Sequence, residues 1–275
     1  MWEGPLVCQN IGTIDGFIMT FLTGLTLFFA AILGGALNSV AGGGSFITFP
    51  SLIFSGVPPI QANATSTVAL WPGSLASVGA YRKEIAKQNR VLMLVLVSTS
   101  LVGGILGAIL LLRTSQSTFV RLIPYLLLLA TLLFAFSPLI TARLRKREPT
   151  TKETRISWLR LAGISLLQLI IAIYGGYFGG GIGIMMLASL GIMGMENIHE
   201  MNGMKTVLQS CINGVAVITF IIAGAVFWLQ AIVMILGAIV GGFSGASLAR
   251  RLDERLIRGF VILVGTVMTI YFFVK

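Results

Sequence analysis

Ten apolar runs, parted by short polar stretches, fill nearly the whole chain. They lie at about 17–40, 45–57, 63–81, 91–112 and 119–140, then at about 157–177, 182–195, 203–224, 228–249 and 256–274. Eight have about 19 residues or more, enough to cross the hydrocarbon core of a bilayer as helices. The second run in each set of five has about 13 or 14 residues, which suits a half-helix or a re-entrant piece. Each short run follows a triple glycine and precedes a polar linker. The pattern predicts an all-α, multi-pass membrane protein.

The polar positions inside these runs occur twice. Gly42-Gly43-Gly44 returns as Gly179-Gly180-Gly181, and Asn63 with Thr67-Val68 returns as Asn202 with Thr206-Val207. Gly103-Gly104-x-x-Gly107-Ala108 returns as Gly241-Gly242-x-x-Gly245-Ala246, and Arg121 as Arg258. The offsets, 137 to 139 residues, are half of the 275-residue chain. Two homologous repeats of about five segments, each interrupted at the same place, are the pattern of a carrier whose substrate sits between the halves. The expected organisation is a first membrane repeat over 1–140, a basic linker over 141–156 and a second membrane repeat over 157–275.

Charge decides the expected topology. Of the 19 Lys and Arg residues, 15 fall in three windows, 82–90, 141–160 and 250–258, and none precedes Arg82. If the short runs cross, each half has an odd number of crossings and all three windows fall on one side. If they turn back, 250–258 lands opposite the other two. The positive-inside rule therefore favours inverted repeats, with basic cytoplasmic loops and both termini outside. Arg113 and Arg121 are then tolerated exceptions. The loop 141–160 reads as a topology anchor before a regulatory or lipid-binding site. A cleaved signal peptide is not expected, because the start carries no basic residue.

Composition agrees with this reading and removes others. The chain is 56% hydrophobic and only 10% charged, whereas soluble domains average about 25% charged residues. The net charge of +10 does not point to nucleic acid, because it is confined to loops between apolar runs. Cys8 and Cys211 are too far apart in context to suggest a disulfide, and neither they nor the single His offers metal-binding spacing. No cofactor is called for. An enzyme would need a nucleophile–base pair or a metal cluster, and no apolar run holds paired carboxylates.

Three constellations remain. Asn38-Ser39-Val40-Ala41-Gly42-Gly43-Gly44-Ser45 weakens a helix by roughly 1 kcal/mol per glycine, which makes sense where backbone must unwind around a cavity. A helix starting after the glycines would point its positive end at an anion. Close packing of small residues is the alternative, and the second copy at Gly179, Gly180 and Gly181 tilts the choice towards a site. Next, Pro58-Pro59 stops a helix, and Asn63, Thr65, Ser66 and Thr67 then read as caps or as site residues at the next helix start. Hydroxyls in membrane helices often bond only their own backbone. Their counterparts are Asn202, Lys205, Thr206 and Gln209. Lys205 is the charged residue set in an apolar run away from the basic loops, so it reads either as an anion ligand or as a snorkelling side chain near a segment start. His199, flanked by Glu196 and Glu200, reads as a polar loop residue rather than a proton switch. Trp71-Pro72-Gly73 suggests a kink. Gly103-x-x-x-Gly107 and Gly241-x-x-x-Gly245 read as helix contacts between repeats or protomers, which leaves homo-oligomerisation open.

These residues resemble the sulfite exporter TauE/SafE family. The resemblance is carried by Ala41-Gly42-Gly43-Gly44-Ser45-Phe46-Ile47-Thr48-Phe49-Pro50, then Gly56-Val57-Pro58-Pro59 and Ala62-Asn63-Ala64-Thr65-Ser66-Thr67. In the second half it is carried by Gly175-Gly176-Tyr177-Phe178-Gly179-Gly180-Gly181-Ile182-Gly183 and Asn202-Gly203-Met204-Lys205. It implies a multi-pass permease of the cell membrane that moves sulfite, sulfonates or related small organic anions. The expected reading is a secondary carrier working by alternating access between the repeats, with an anion channel of the same lining as the alternative. The expected partners are a small anion and the lipid bilayer. The candidate substrate residues are Asn38, Gly42, Gly43, Gly44, Ser45, Asn63, Thr65, Ser66, Thr67, Gly179, Gly180, Gly181, Asn202, Lys205, Thr206 and Gln209.

Overall fold

The computed structural model describes residues 20–41, 43–145, 158–193, 195, 197–248 and 254–274. Gly42, Glu196 and the linker from 146 to 157 lie outside the described residues, as does the side chain of His199. Among the described residues the protein is all helix. In chain order the helices are α1 (Phe21–Ala41), α2 (Ser45–Phe54), α3 (Pro59–Ala80), α4 (Arg82–Ile85), α5 (Arg90–Arg113) and α6 (Gln116–Arg145), then α7 (Trp158–Tyr177), α8 (Ile182–Ile192), α9 (Ile198–Ile222), α10 (Trp228–Leu248) and α11 (Glu254–Val274).

Eight of these have 20 residues or more, while α2 has 10 and α8 has 11. At 1.5 Å per residue a 10-residue helix covers about half the hydrocarbon core, so the two expected short segments are real. Continuous apolar windows long enough to span lie at Phe21–Asn38, Arg90–Arg113, Gln116–Leu133 and Glu200–Ile222. Large apolar side chains such as Phe29, Leu33, Leu106, Tyr125, Leu166 and Phe243 cover the outside. A soluble monomer rarely exposes so much apolar surface, and lipid accepts it without cost.

Two starts differ from the sequence expectation. α3 begins at Pro59, because a proline's fixed φ and missing N–H suit the first helical position. Asn63, Thr65, Ser66 and Thr67 therefore sit one to two turns inside α3 and do not cap it. Similarly α9 begins at Ile198, which puts Lys205 about two turns into the helix rather than at its start. α3 also continues through Pro72.

Helix directions follow from named contacts. Gly34 lies against both Gly44 and Thr48, and Asn38, one turn later in α1, lies beside Gly44. So α2 doubles back along α1. Thr48 Oγ1 and Ser66 Oγ share a hydrogen bond at 2.6 Å, and Asn38 Nδ2 donates to Ser74 Oγ at 3.0 Å, so α3 resumes the direction of α1. α3 and α9 run antiparallel: Tyr81 is beside Gly203, Trp71 Nε1 donates to the Ser210 carbonyl at 3.1 Å, and Phe227 N donates to Thr65 Oγ1 at 3.1 Å. α6 and α11 are also antiparallel, with Tyr125 against Phe273 and Thr131 against Gly265. Tracing these directions brings the 82–90 loop, the end of α6, the start of α7, the end of α10 and the start of α11 to one end of the molecule.

The closest packing is made by glycine. A Cβ on Gly103 would meet the Leu169 carbonyl oxygen, and one on Gly107 the Ile173 carbonyl oxygen, which locks α5 onto α7. In the same way Gly237 lies on the Phe28 carbonyl and Gly241 on the Ile32 carbonyl, which locks α10 onto α1. Gly35 against Ala238 matches Gly176 against Gly104. In packing terms Gly103 and Gly107 thus correspond to Gly237 and Gly241, one turn from the Gly241 and Gly245 that sequence spacing pairs. Backbone in direct contact maximises dispersion between helices, the main attraction available in lipid. The α5–α7 contact also holds the buried pair Gln168 Nε2 to Ser100 Oγ, 2.8 Å, and Gln168 Oε1 is buried without a partner among the described residues.

Candidate functional site

Most polar side chains inside the helices are committed to structure. Thr48 and Ser66 bond each other. Asn63 Nδ2 donates to the Tyr177 carbonyl at 3.0 Å, which ties α3 to the end of α7. Thr65 accepts from Phe227 N. Thr206 Oγ1 donates to the Asn202 carbonyl four residues back, and Thr67 Oγ1 to the Asn63 carbonyl. Gly44 packs on Gly34. Gly179 and Gly181 have positive φ, 76° and 72°, and make the tight turn from α7 into α8, where the Gly180 carbonyl accepts from the Tyr174 hydroxyl at 2.7 Å.

A small polar pocket holds several side chains that are not so committed, beside Asn38 and Thr67, which are. From the first half it is lined by Asn38 near the end of α1, Ser45 at the start of α2, and Thr67 and Leu70 on α3. From the second half it is lined by Phe178 and Gly179 at the turn into α8, and by Gln209 and Asn213 on α9. The start of α2 and the turn into α8 therefore meet at it, with antiparallel α3 and α9 forming the walls. Ser45, Gln209 and Asn213 make no side-chain hydrogen bond with another described residue. Gln209 is only 8% exposed, and an amide held in a membrane interior without a partner is costly unless a ligand or water satisfies it.

Of the residues expected from sequence, the pocket brings together Asn38, Ser45, Thr67, Gly179 and Gln209. It does not include Gly43, Gly44, Asn63, Thr65, Ser66, Gly180, Gly181, Asn202, Lys205 or Thr206. It adds Leu70, Phe178 and Asn213. Asn213 stands one helical turn beyond Gln209, so the i, i+4 spacing is the signal that finds it. Lys205 stands one turn before Gln209 on the same face of α9, towards the end that carries the basic 82–90 loop. Its ammonium has no hydrogen-bond or ion-pair partner among the described residues.

On the opposite side of the pocket, aromatic rings close the interior. Phe49 of α2 meets Phe178 and Phe119 edge to face, at 5.7 and 6.4 Å between ring centres, and Phe119 meets Tyr177 at 5.7 Å. Beyond them Gln116 Nε2 donates to Gln61 Oε1 at 2.6 Å, and Ile60 N donates to Gln116 Oε1 at 3.2 Å.

With helices, hairpins and pocket in place, the comparison with known proteins is decisive at the level of family. The sequence profile of the sulfite exporter TauE/SafE family matches residues 27–272. The chain belongs to the sulfite exporter TauE/SafE family. The match runs from α1 to α11 and so covers both hairpins and the pocket. A "Probable membrane transporter protein" of Haemophilus influenzae is 29% identical over 244 residues, covering 88% of this chain and 91% of that protein. "Probable membrane transporter protein YfcA" of Escherichia coli K12 is 26% identical over 249 residues, 88% and 87%. "Probable membrane transporter protein ORF9" of a Sinorhizobium species is 25% identical over 245 residues, 89% and 90%. No solved structure matches this TauE/SafE chain.

One prediction separates structural hydroxyls from site residues. Ser66→Ala leaves Thr48 to bond only the Gly44 carbonyl, at 3.1 Å, and should lower stability by about 1 kcal/mol while leaving transport unchanged. Thermal unfolding and flux on the same preparation check it. A flux defect larger than the stability loss explains would place Ser66 in the substrate path.

Proposed function

We propose that this chain is a secondary carrier for a small anion, sulfite or a related sulfur oxyanion, sulfonate or short organic acid, and that its halves are inverted repeats. The observation that carries the reading is the pocket between the halves, where uncommitted donors from α2 and α9 converge and no carboxylate is among the described residues that line it. Hydroxyl and amide donors, with the positive end of α2 at Ser45, suit an anion stripped of water. Lys205 adds a positive charge one turn away, on the side of the basic 82–90 loop. The antiparallel pairing of α3 with α9 and of α6 with α11 supports inversion, because a two-fold axis in the membrane plane reverses every helix it relates. The helix ends that border the basic windows then share one end, which the positive-inside rule makes cytoplasmic. This topology suits a multi-pass protein of the cell membrane with both termini outside. The first repeat is 1–140 and the second 157–275, joined by the basic linker 141–156.

The test is flux in proteoliposomes containing only this protein, with sulfite, thiosulfate, sulfoacetate and acetate each tried under an imposed potential. Saturable uptake with counterflow is expected for at least one anion. Lys205→Ala should reduce that uptake about ten-fold or more, as loss of a charge-assisted contact implies, and Lys205→Arg should retain much of it. Flux that rises linearly with concentration would replace the carrier with a channel. Uptake unchanged in Lys205→Ala would remove Lys205 from the site.

A further inference from the structure

The closest helix contacts do not respect the two halves of the sequence. α1 of the first half packs most extensively on α10 of the second, and α5 of the first half on α7 of the second. Both contacts are the glycine-locked ones, with backbone against backbone, and such interfaces have no slack for sliding. α2 and α3 pack on α1, and α10 packs on α3. Likewise α8 and α9 pack on α7, and α5 packs on α9. α6 and α11 pack chiefly on each other. Between the two groups α3 packs along α9, but the contact is of another kind: its glycines, Gly203 and Gly214, face the side chains of Tyr81 and Trp71 rather than backbone, Trp71 donates to the Ser210 carbonyl, and Phe49 meets Phe178 edge to face.

We propose that the bodies that move during transport are two exchanged units, α1–α2–α3 with α10 and α7–α8–α9 with α5, and not the N- and C-terminal halves. The antiparallel α6–α11 pair is the joint between them. The proposal rests on the carrier reading and deepens it. The pocket lies on the seam, since Asn38, Ser45 and Thr67 belong to one unit and Gly179, Gln209 and Asn213 to the other. Rocking across that seam opens the pocket to one side by separating Tyr81 from Gly203, and to the other by separating Phe49 from Phe178. The glycine-locked contacts persist in both states.

Distances between spin labels on lipid-facing positions decide the matter. In a Cys8→Ser/Cys211→Ser background, cysteines are placed pairwise at Leu33 of α1, Leu236 of α10, Leu106 of α5 and Leu166 of α7, all exposed. Distances are read by electron paramagnetic resonance in proteoliposomes, with and without whichever of the four anions the flux assay carries. The expected result is that the 33–236 and 106–166 distances stay fixed while 33–106 shifts. Rigid sequence halves demand the opposite pattern, a fixed 33–106 distance with shifts in the other two, and that pattern overturns the proposal. No shift in any pair overturns it as well. A second measurement locks the seam. An ideal Cβ on Gly203 stands 3.5 Å from the Tyr81 Cβ, a separation that a disulfide accepts. The Tyr81→Cys/Gly203→Cys variant should lose transport on oxidation and regain it on reduction, and transport unaffected by oxidation would sink the seam. Failure of the carrier reading shows separately, as absent flux in the unmodified protein.

Discussion

Gly107→Ala lowers the thermal unfolding midpoint of the detergent-solubilised protein, and Gly163→Ala does not. Both glycines sit inside long helices, where alanine is the better helix former by about 1 kcal/mol. At Gly163 nothing stands within 4 Å of the added carbon, so that gain is free to appear. At Gly107 the carbon runs into the Ile173 carbonyl oxygen and the backbone of Gly176 and Tyr177. Backbone in two packed helices does not rotate away as a side chain does. α5 and α7 must part along their length, at a cost of about 1–3 kcal/mol or more that outweighs the propensity gain. Gly107→Leu should leave no folded protein to purify. Equal midpoints for the two alanine variants would mean that the α5–α7 contact has slack, and the rigid units inferred above would lose their basis.

The second large effect is expected at α9. Gln209→Leu replaces an amide that bonds no other described residue with an apolar group of similar length. Folding loses nothing that the native contacts supply and gains relief from a buried amide, so the midpoint should hold or rise. Transport should fall about ten-fold to a hundred-fold, the range for losing one hydrogen bond to a charged partner. Asn213→Leu should act in the same direction, since its amide faces the same pocket. Initial rates across a concentration series are the measurement. A Gln209→Leu protein that transports at the native rate would mean that substrate passes elsewhere, and the pocket would then be a packing defect.

Much of the helical layout was legible in apolar run length alone, because lipid forces the backbone to satisfy itself within each segment. The short segments after Gly44 and Gly181 were legible for the same reason. Helix starts were less so: Pro59 reads as a breaker on local rules, yet it serves as the first residue of α3. The candidate site was legible only as a superset. Composition places Asn63, Thr65, Ser66 and Gln209 on equal terms. What separates them is whether a partner from a distant segment reaches them, as Tyr177 and Phe227 do. That information depends on tertiary packing and is absent from spacing. The packing register of Gly237 with Gly103 was likewise hidden, since a small residue that is indispensable and one that is incidental look alike in a sequence.

The partnership of α1 with α10 also sets the order in which the molecule is made. The glycine face of α1 enters the bilayer long before the ribosome has synthesised Gly237 and Gly241. Until then it meets lipid or the insertion machinery, and its backbone lacks the neighbour that its small residues were placed to meet. Contacts so distant along the chain are slow to form and leave intermediates exposed to misassembly. The first half alone therefore lacks the α10 face on which α1 packs, and that packing is completed only after α10 has been synthesised.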